Sequence, residues 1–174
     1  MVTADELLNN PIHRYNELIG GEVRALNLPM GTDRSIALAF WLAGIGMHVM
    51  KSDLGVFYGA NVGFFLRADP DTVKAPDYAF VKQDCLTVPR GEGFVRDIPA
   101  LVVESGQDEM LSIRISEWLT LGVKYAIDLD AVGQAVTVHR PKHDPVTLTR
   151  NDTFAAEDIL NGFSLPLTKV FPNL

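Results

Sequence analysis

Two carboxylates stand at the ends of apolar runs. Asp77 follows Ala75 and Pro76 and opens the run Tyr78, Ala79, Phe80, Val81, and Glu104 closes the run Leu101, Val102, Val103. A carboxylate at the end of a buried strand is costly unless it meets a cation or an ion-pair partner. Two of them at one sheet edge would make an oxygen-rich site for Mg²⁺, which takes few carboxylates, keeps several waters and often shares substrate phosphates. Taken singly, each also reads as a solvated strand end. The segment after Glu104 adds a base. On a helical wheel Leu111, Ile115, Trp118, Leu119 and Gly122 form one stripe, and Arg114 falls at its edge, about 60° from Leu111. From there its guanidinium can reach over the sheet toward Glu104, or can lay its stem on apolar surface and keep its head in water.

Other chemistries find less support. His139 and His143 are four apart, but Pro141 between them prevents a shared helical face. Cys85 has no histidine nearby in sequence, and no Gly-x-Ser-x-Gly elbow exists. No glycine-rich loop is followed by a phosphate-binding lysine. Asp128 and Asp130 suit a metal or, equally, a strand end entering a turn.

The elements that must hold Asp77, Glu104 and Arg114 follow from local pattern. Thr3 and Glu6 have capping-box spacing, so a short helix starts near Asp5 and stops at Pro11. Residues 15–19 and 22–28 form a hairpin around Gly20 and Gly21. A helix capped by Thr32 or Asp33 runs to about Met50. It is apolar almost all round, which predicts burial on more than one face or packing against a second subunit. Gly44 and Gly46 within it suggest close backbone approach. Strands are expected at residues 55–58, 63–67 and 77–82. The continuous apolar run 100–104 predicts a central strand covered on both faces. A helix over about 108–121 stops at Gly122. Strands at 123–129 and 135–140 around a turn, and a short one at 146–149, complete the pattern, with a tail segment at 163–171. This order predicts an α/β or α+β domain spanning 1–174, with a mixed sheet flanked by helices and an extra N-terminal hairpin.

Composition sets outer bounds. The chain of 174 residues is 47% hydrophobic and free of low-complexity tracts, which excludes intrinsic disorder. A single cysteine excludes a disulfide framework and suits a reducing compartment. The acidic N-terminus lacks the basic start of a signal peptide. The longest apolar run, residues 36–47, falls short of the about 20 residues a membrane span takes. A cytoplasmic protein without membrane contact is expected. The net charge of -7 argues against a protein that coats DNA non-specifically, because that needs a basic footprint.

The ordered motifs resemble the Uma-two family of endonuclease-like proteins. Tyr15-Asn-Glu-Leu-Ile-Gly-Gly-Glu22 is similar to its opening Tyr-Glu-Leu-Ile-Asp-Gly-Glu, and Ala75-Pro-Asp-Tyr-Ala-Phe-Val81 to its Ala-Pro-Asp-Val-Ala-Phe-Val. Pro99-Ala-Leu-Val-Val-Glu104 is similar to Pro-Asp-Leu-Val-Val-Glu, and Glu117-Trp-Leu-Thr-Leu-Gly-Val123 to Glu-Tyr-Leu-Ala-Ala-Gly-Val. The segments beginning at Val136 and Gly162 extend the match. The resemblance implies a restriction-endonuclease-like fold of the PD-(D/E)XK type. It implies site acids Glu22, Asp77 and Glu104, with Mg²⁺ or Mn²⁺ held by Asp77 and Glu104, and nucleic acid, DNA first, as the substrate. The family lysine, four residues before the aromatic, falls on Arg114. Arginine keeps the charge and can grip phosphate bidentately, but it cannot act as a base. The family's Ser-Pro turn after the glutamate is replaced by Ser105-Gly-Gln-Asp108, and its helix-opening histidine by Asp33. The resemblance thus leaves two functions: a metal-dependent endonuclease with Arg114 on the scissile phosphate, or a catalytically inactive, homodimeric binding or assembly module.

Overall fold

The computed structural model describes residues 1–26, 29–87, 91, 93–106 and 109–173. The first half contains α1 (Ala4–Asn9), β1 (Asn16–Ile19), β2 (Glu22–Ala25), α2 (Thr32–Lys51), β3 (Gly55–Tyr58), β4 (Phe64–Arg67), β5 (Thr72–Lys74) and β6 (Tyr78–Lys82). The second half contains β7 (Leu101–Ser105), α3 (Met110–Thr120), β8 (Tyr125–Asp130), β9 (Ala135–His139), β10 (Val146–Thr149), β11 (Thr153–Phe154) and β12 (Leu165–Pro166).

The local signals act as physical chemistry requires. The Thr3 hydroxyl accepts from the Glu6 N–H at 3.2 Å, and the Glu6 carboxylate accepts from the Thr3 N–H at 2.9 Å, so α1 opens on a complete capping box. Gly20 and Gly21 both take positive φ, 59° and 81°, which a two-residue hairpin with the strands' own twist demands. The expected partner strand over 22–28 is β2, and Leu28 lies outside the described residues. The helix expected to start near Asp108 is described from Met110, Asp108 itself lying outside the described residues.

The strands build two main sheets. Four antiparallel strands run in the order β2-β1-β5-β4, and six run β10-β9-β8-β7-β6-β3. In the second sheet β7 and β8 pair in parallel, and α3 is the crossover between them. All of β7 is buried. The expected mixed sheet is the six-stranded one, and the expected extra N-terminal hairpin stands apart from it, joining β4 and β5 in a sheet of its own. β5 is three residues long and gives too short a pattern to read as a strand.

Alternation along the six-stranded sheet assigns its two faces. Tyr78, Phe80, Leu101, Val103, Ile127 and Leu129 face α2 and the C-terminal segment that carries Phe154, Leu160 and Phe171. Ala79, Val81, Val102 and Ala126 face α3, through Ile115 and Trp118, and also Phe64 of β4. Asp77 and Glu104 continue this second set by the two-residue period. Of the two expectations for α2, burial on more than one face within the chain is not met. Ala37, Leu38, Trp41, Ile45 and Val49 form one buried stripe, while Phe40, Met47 and Met50 are 44%, 55% and 81% exposed. Close approach at Gly44 is real: a Cβ there would meet the Leu165 side chain at 2.8 Å. Among the described residues no helix is long and apolar enough to cross a membrane.

Candidate functional site

Antiparallel pairing of β6 with β7 brings the two acids together. Asp77 sits just before β6, and its N–H donates to the Val103 carbonyl at 3.0 Å, which sets its side chain beside the end of β7. Asp77 Oδ2 accepts from the Ser105 N–H at 2.8 Å and from the Ser105 hydroxyl at 2.6 Å. Arg34, near the start of α2, donates to both Asp77 oxygens at 3.2 Å and to the Ser105 hydroxyl at 2.5 Å.

Glu104 lies beneath α3 and is 3% exposed. Trp118 Nε1 donates to its Oε1 at 2.5 Å. Arg114, one helical turn earlier, lays its guanidinium edge along the same carboxylate: Nη2 to Oε1 at 2.8 Å and Nε to Oε2 at 2.9 Å. Arg114 also donates from Nη1 to Glu17 Oε1 at 2.5 Å and from Nη2 to the Ala75 carbonyl at 3.1 Å. Burial pushes the Glu104 carboxyl up to about 7; Arg114 and the Trp118 N–H pull it down, and the neighbouring Asp77 raises it further. Burial draws the Arg114 guanidinium down, but Glu104 and Glu17 outweigh it and hold it above its ordinary value.

Three further pairs surround this core. Arg24 of β2 donates from Nε to Glu17 at 2.7 Å and grips Glu117 through Nη1 at 3.0 Å and Nη2 at 2.6 Å. Lys74 of β5 is fully buried, donates to Glu117, and lies 5.0 Å from the centre of the Trp118 ring. Burial lowers the Lys74 ammonium. Burial alone would raise Glu117, but the hydrogen bonds from Arg24 and Lys74 hold it below the usual carboxylate range. Four acids (Glu17, Asp77, Glu104, Glu117) thus face four cations (Arg24, Arg34, Lys74, Arg114) in ion pairs. A cavity of about 210 Å³ opens onto this cluster, lined by Arg24, Arg34, Asp77, Glu104, Ser105 and Arg114 among others.

The structure joins Asp77, Glu104 and Arg114 but not Glu22, which sits exposed at the start of β2, opposite Ile19. The acid that enters the cluster from the hairpin is Glu17, fully buried in β1. Glu17 and its neighbour Leu18 are both buried because β1 lies between β2 and β5 and is covered on both faces. Simple alternation hides such an acid, and the buried Lys74 is equally unexpected, since lysine is almost never fully buried unless paired. The legible signal for Glu17 is its place between Asn16 and the apolar pair Leu18-Ile19.

Comparison with known proteins now bears on this geometry. The model of the Uma2 family, described as "Putative restriction endonuclease", matches residues 4–168. The chain belongs to the Uma2 family. A crystal structure described as "a putative nuclease belonging to DUF820 from Anabaena variabilis" superposes with a TM-score of 0.79 at 19% identity, covering 98% of each chain. That likeness establishes the fold: the mixed α+β architecture is that of this nuclease-like neighbour. No curated protein matches the chain.

Uma2 membership raises the question of a divalent ion. A hard cation such as Mg²⁺ needs oxygens free to approach to about 2.1 Å. Here each oxygen of Asp77 and of Glu104 already carries a protein donor, and the Arg114 charge lies 2.8 Å from Glu104. Among the described residues no group of three or more His, Cys, Asp or Glu side chains is placed to hold a metal. As arranged, the residues do not fit the ion.

Proposed function

We propose that this Uma2 chain is a nucleic-acid-binding module that engages phosphate groups in the Asp77–Glu104 cleft without hydrolysing them. One observation carries the reading: in the pairs made by Glu17, Asp77 and Glu104 the cation, not the acid, is the more accessible partner. The Arg24 and Arg34 side chains are each 21% exposed and Arg114 is 13% exposed, whereas Glu17, Glu104 and Asp77 are at 0%, 4% and 10%. An incoming anion meets guanidinium N–H groups, which are matched to phosphate oxygens in a bidentate fork. The acids hold those forks in place from beneath. At the position of the family lysine stands Arg114, which stays protonated and supplies no base toward water. The exposed apolar side chains of α2, Phe40, Met47 and Met50, support a homodimer, and the setting proposed is the cytoplasm.

The family match favours a second reading, an Mg²⁺- or Mn²⁺-dependent DNA endonuclease of the PD-(D/E)XK type. In it Asp77 and Glu104 are the ligands and Glu22 assists from outside. The discriminating experiment combines plasmid nicking in Mn²⁺ with fluorescence anisotropy on labelled DNA in EDTA. The module reading expects binding in EDTA and no nicking. Nicking by the wild type that disappears in both Asp77→Ala and Glu104→Ala would establish the endonuclease instead.

A further inference from the structure

The cleft is sorted by depth. Its three arginines are sheltered, while part of its apolar wall, formed by Ala25, Leu26, Met110 and Leu111, stands further out: Met110 is 36% exposed and Ala25 is exposed. The four acids and four cations of the cluster cancel. A phosphate held there gains hydrogen bonds from the guanidinium forks but little long-range attraction, and the chain's net charge of -7 adds none. Affinity at this cleft needs a second contribution, and the apolar wall is where a ligand finds it. Beside that wall stands an aromatic ring. The Leu26 N–H donates to the Tyr15 carbonyl at 3.0 Å, one step beyond the Asn16–Ala25 pair, so Tyr15 flanks the end of β2 that lines the cleft. Tyr15 is 61% exposed and holds φ at 64°, a left-handed backbone that residues with side chains rarely adopt. Such strain collects at binding sites.

We propose that the cleft takes unpaired DNA, with a phosphate on the arginine forks and the adjoining base against the apolar wall, stacked on Tyr15. This rests on the phosphate-binding reading above and adds the form of the strand. In a duplex the bases stack on one another and turn only their edges to the grooves, so an apolar wall and a phenol ring would meet sugar and phosphate. In a single strand each base has a free face, and stacking on an aromatic side chain supplies affinity that tolerates any sequence. The depth of the forks points the same way. A flexible single strand can turn one phosphate inward, whereas a duplex is stiff over the length of such a site.

The test is fluorescence anisotropy on the full chain in EDTA, with a labelled single strand and the duplex of the same sequence. A single strand carrying 2-aminopurine reports stacking by quenching. The wild type should bind the single strand at least about tenfold tighter than the duplex and should quench the 2-aminopurine. Tyr15→Ala should weaken single-strand binding about tenfold, the worth of one stacked base, and remove most of the quenching. Tyr15→Phe, which restores the ring, should rescue both. Tyr15→Gly suits the left-handed backbone at this position and gives the same readout where Tyr15→Ala fails to fold. Duplex binding as tight as single-strand binding overturns the proposal, and so does a single-strand affinity that Tyr15→Ala or Tyr15→Gly leaves unchanged. Failure of both DNA forms to bind overturns the phosphate-binding reading itself, so the two failures are distinguishable.

Discussion

Replacing Arg114 by methionine removes the centre of the charge cluster while keeping comparable bulk. The guanidinium is 13% exposed and its two acid partners are at 4% and 0%, so little water can replace it. Breaking a buried ion pair by deleting one partner costs about 3–5 kcal/mol, because the remaining charge stays buried without compensation. At about 2–4 °C per kcal/mol for a chain of this size, the melting temperature should fall by roughly 6–20 °C. The partner charge is responsible, so Arg114→Met combined with Glu104→Gln should recover part of the loss. The cycle of the two single variants and the double should give a coupling energy of about 0.5–3 kcal/mol. Circular dichroism melts of the four proteins measure this directly. A loss below about 1 kcal/mol, the value of an exposed pair, or additive single effects would refute the claim that Arg114 and Glu104 form one buried unit.

Three more outcomes follow from particular contacts. Arg34→Ala, which removes an accessible guanidinium from the cleft, should weaken DNA binding and lower the salt-dependence slope by about one phosphate contact in anisotropy titrations; an unchanged slope would remove Arg34 from the interface. The Tyr125 hydroxyl donates to Asp158, and burial together with that carboxylate pushes its pKa up to about 12. Its folded value lies above the unfolded value near 10, so its contribution is present below pH about 10 and is lost as pH rises toward 12. Tyr125→Phe should therefore be less stable at neutral pH but show a shallower alkaline loss in melts between pH 9 and 11.5; parallel curves would contradict the assignment. Phe40→Glu places a charge on the exposed apolar side of α2 and should convert a homodimer to a monomer by light scattering; an unchanged mass would remove α2 from any dimer contact.

Much of the fold was legible because local signals agreed with tertiary demands. The capping box at Thr3, the paired glycines at 20 and 21, and the unbroken apolar run of β7 each name their element and its burial. The joining of β4 and β5 to the hairpin was not legible, since it depends on β5, three residues that pair with β1 only across a long separation. The excess apolar character of α2 left two readings open. Within one chain only one of its stripes meets the core, which sets aside burial on several faces and leaves Phe40, Met47 and Met50 to the proposed second subunit. At the site, Asp77 and Glu104 were visible because carboxylates closing apolar strands are anomalous. Arg114 was visible as an edge position of an amphipathic helix whose direction the wheel left open. Glu17 and Lys74 escaped because a charged residue in a short strand ordinarily points to solvent; their burial is made tolerable by partners up to 97 residues away, the separation of Glu17 from Arg114.

The account turns on which cation sits between Glu104 and Glu17. A crystal structure of the wild-type protein grown in Mn²⁺, with anomalous data at the manganese edge, addresses it directly. The account predicts Arg114 laid along Glu104 and no anomalous peak within coordination distance of Asp77 or Glu104. A peak bound by both carboxylates, with the Arg114 side chain turned out of the cleft, would contradict it.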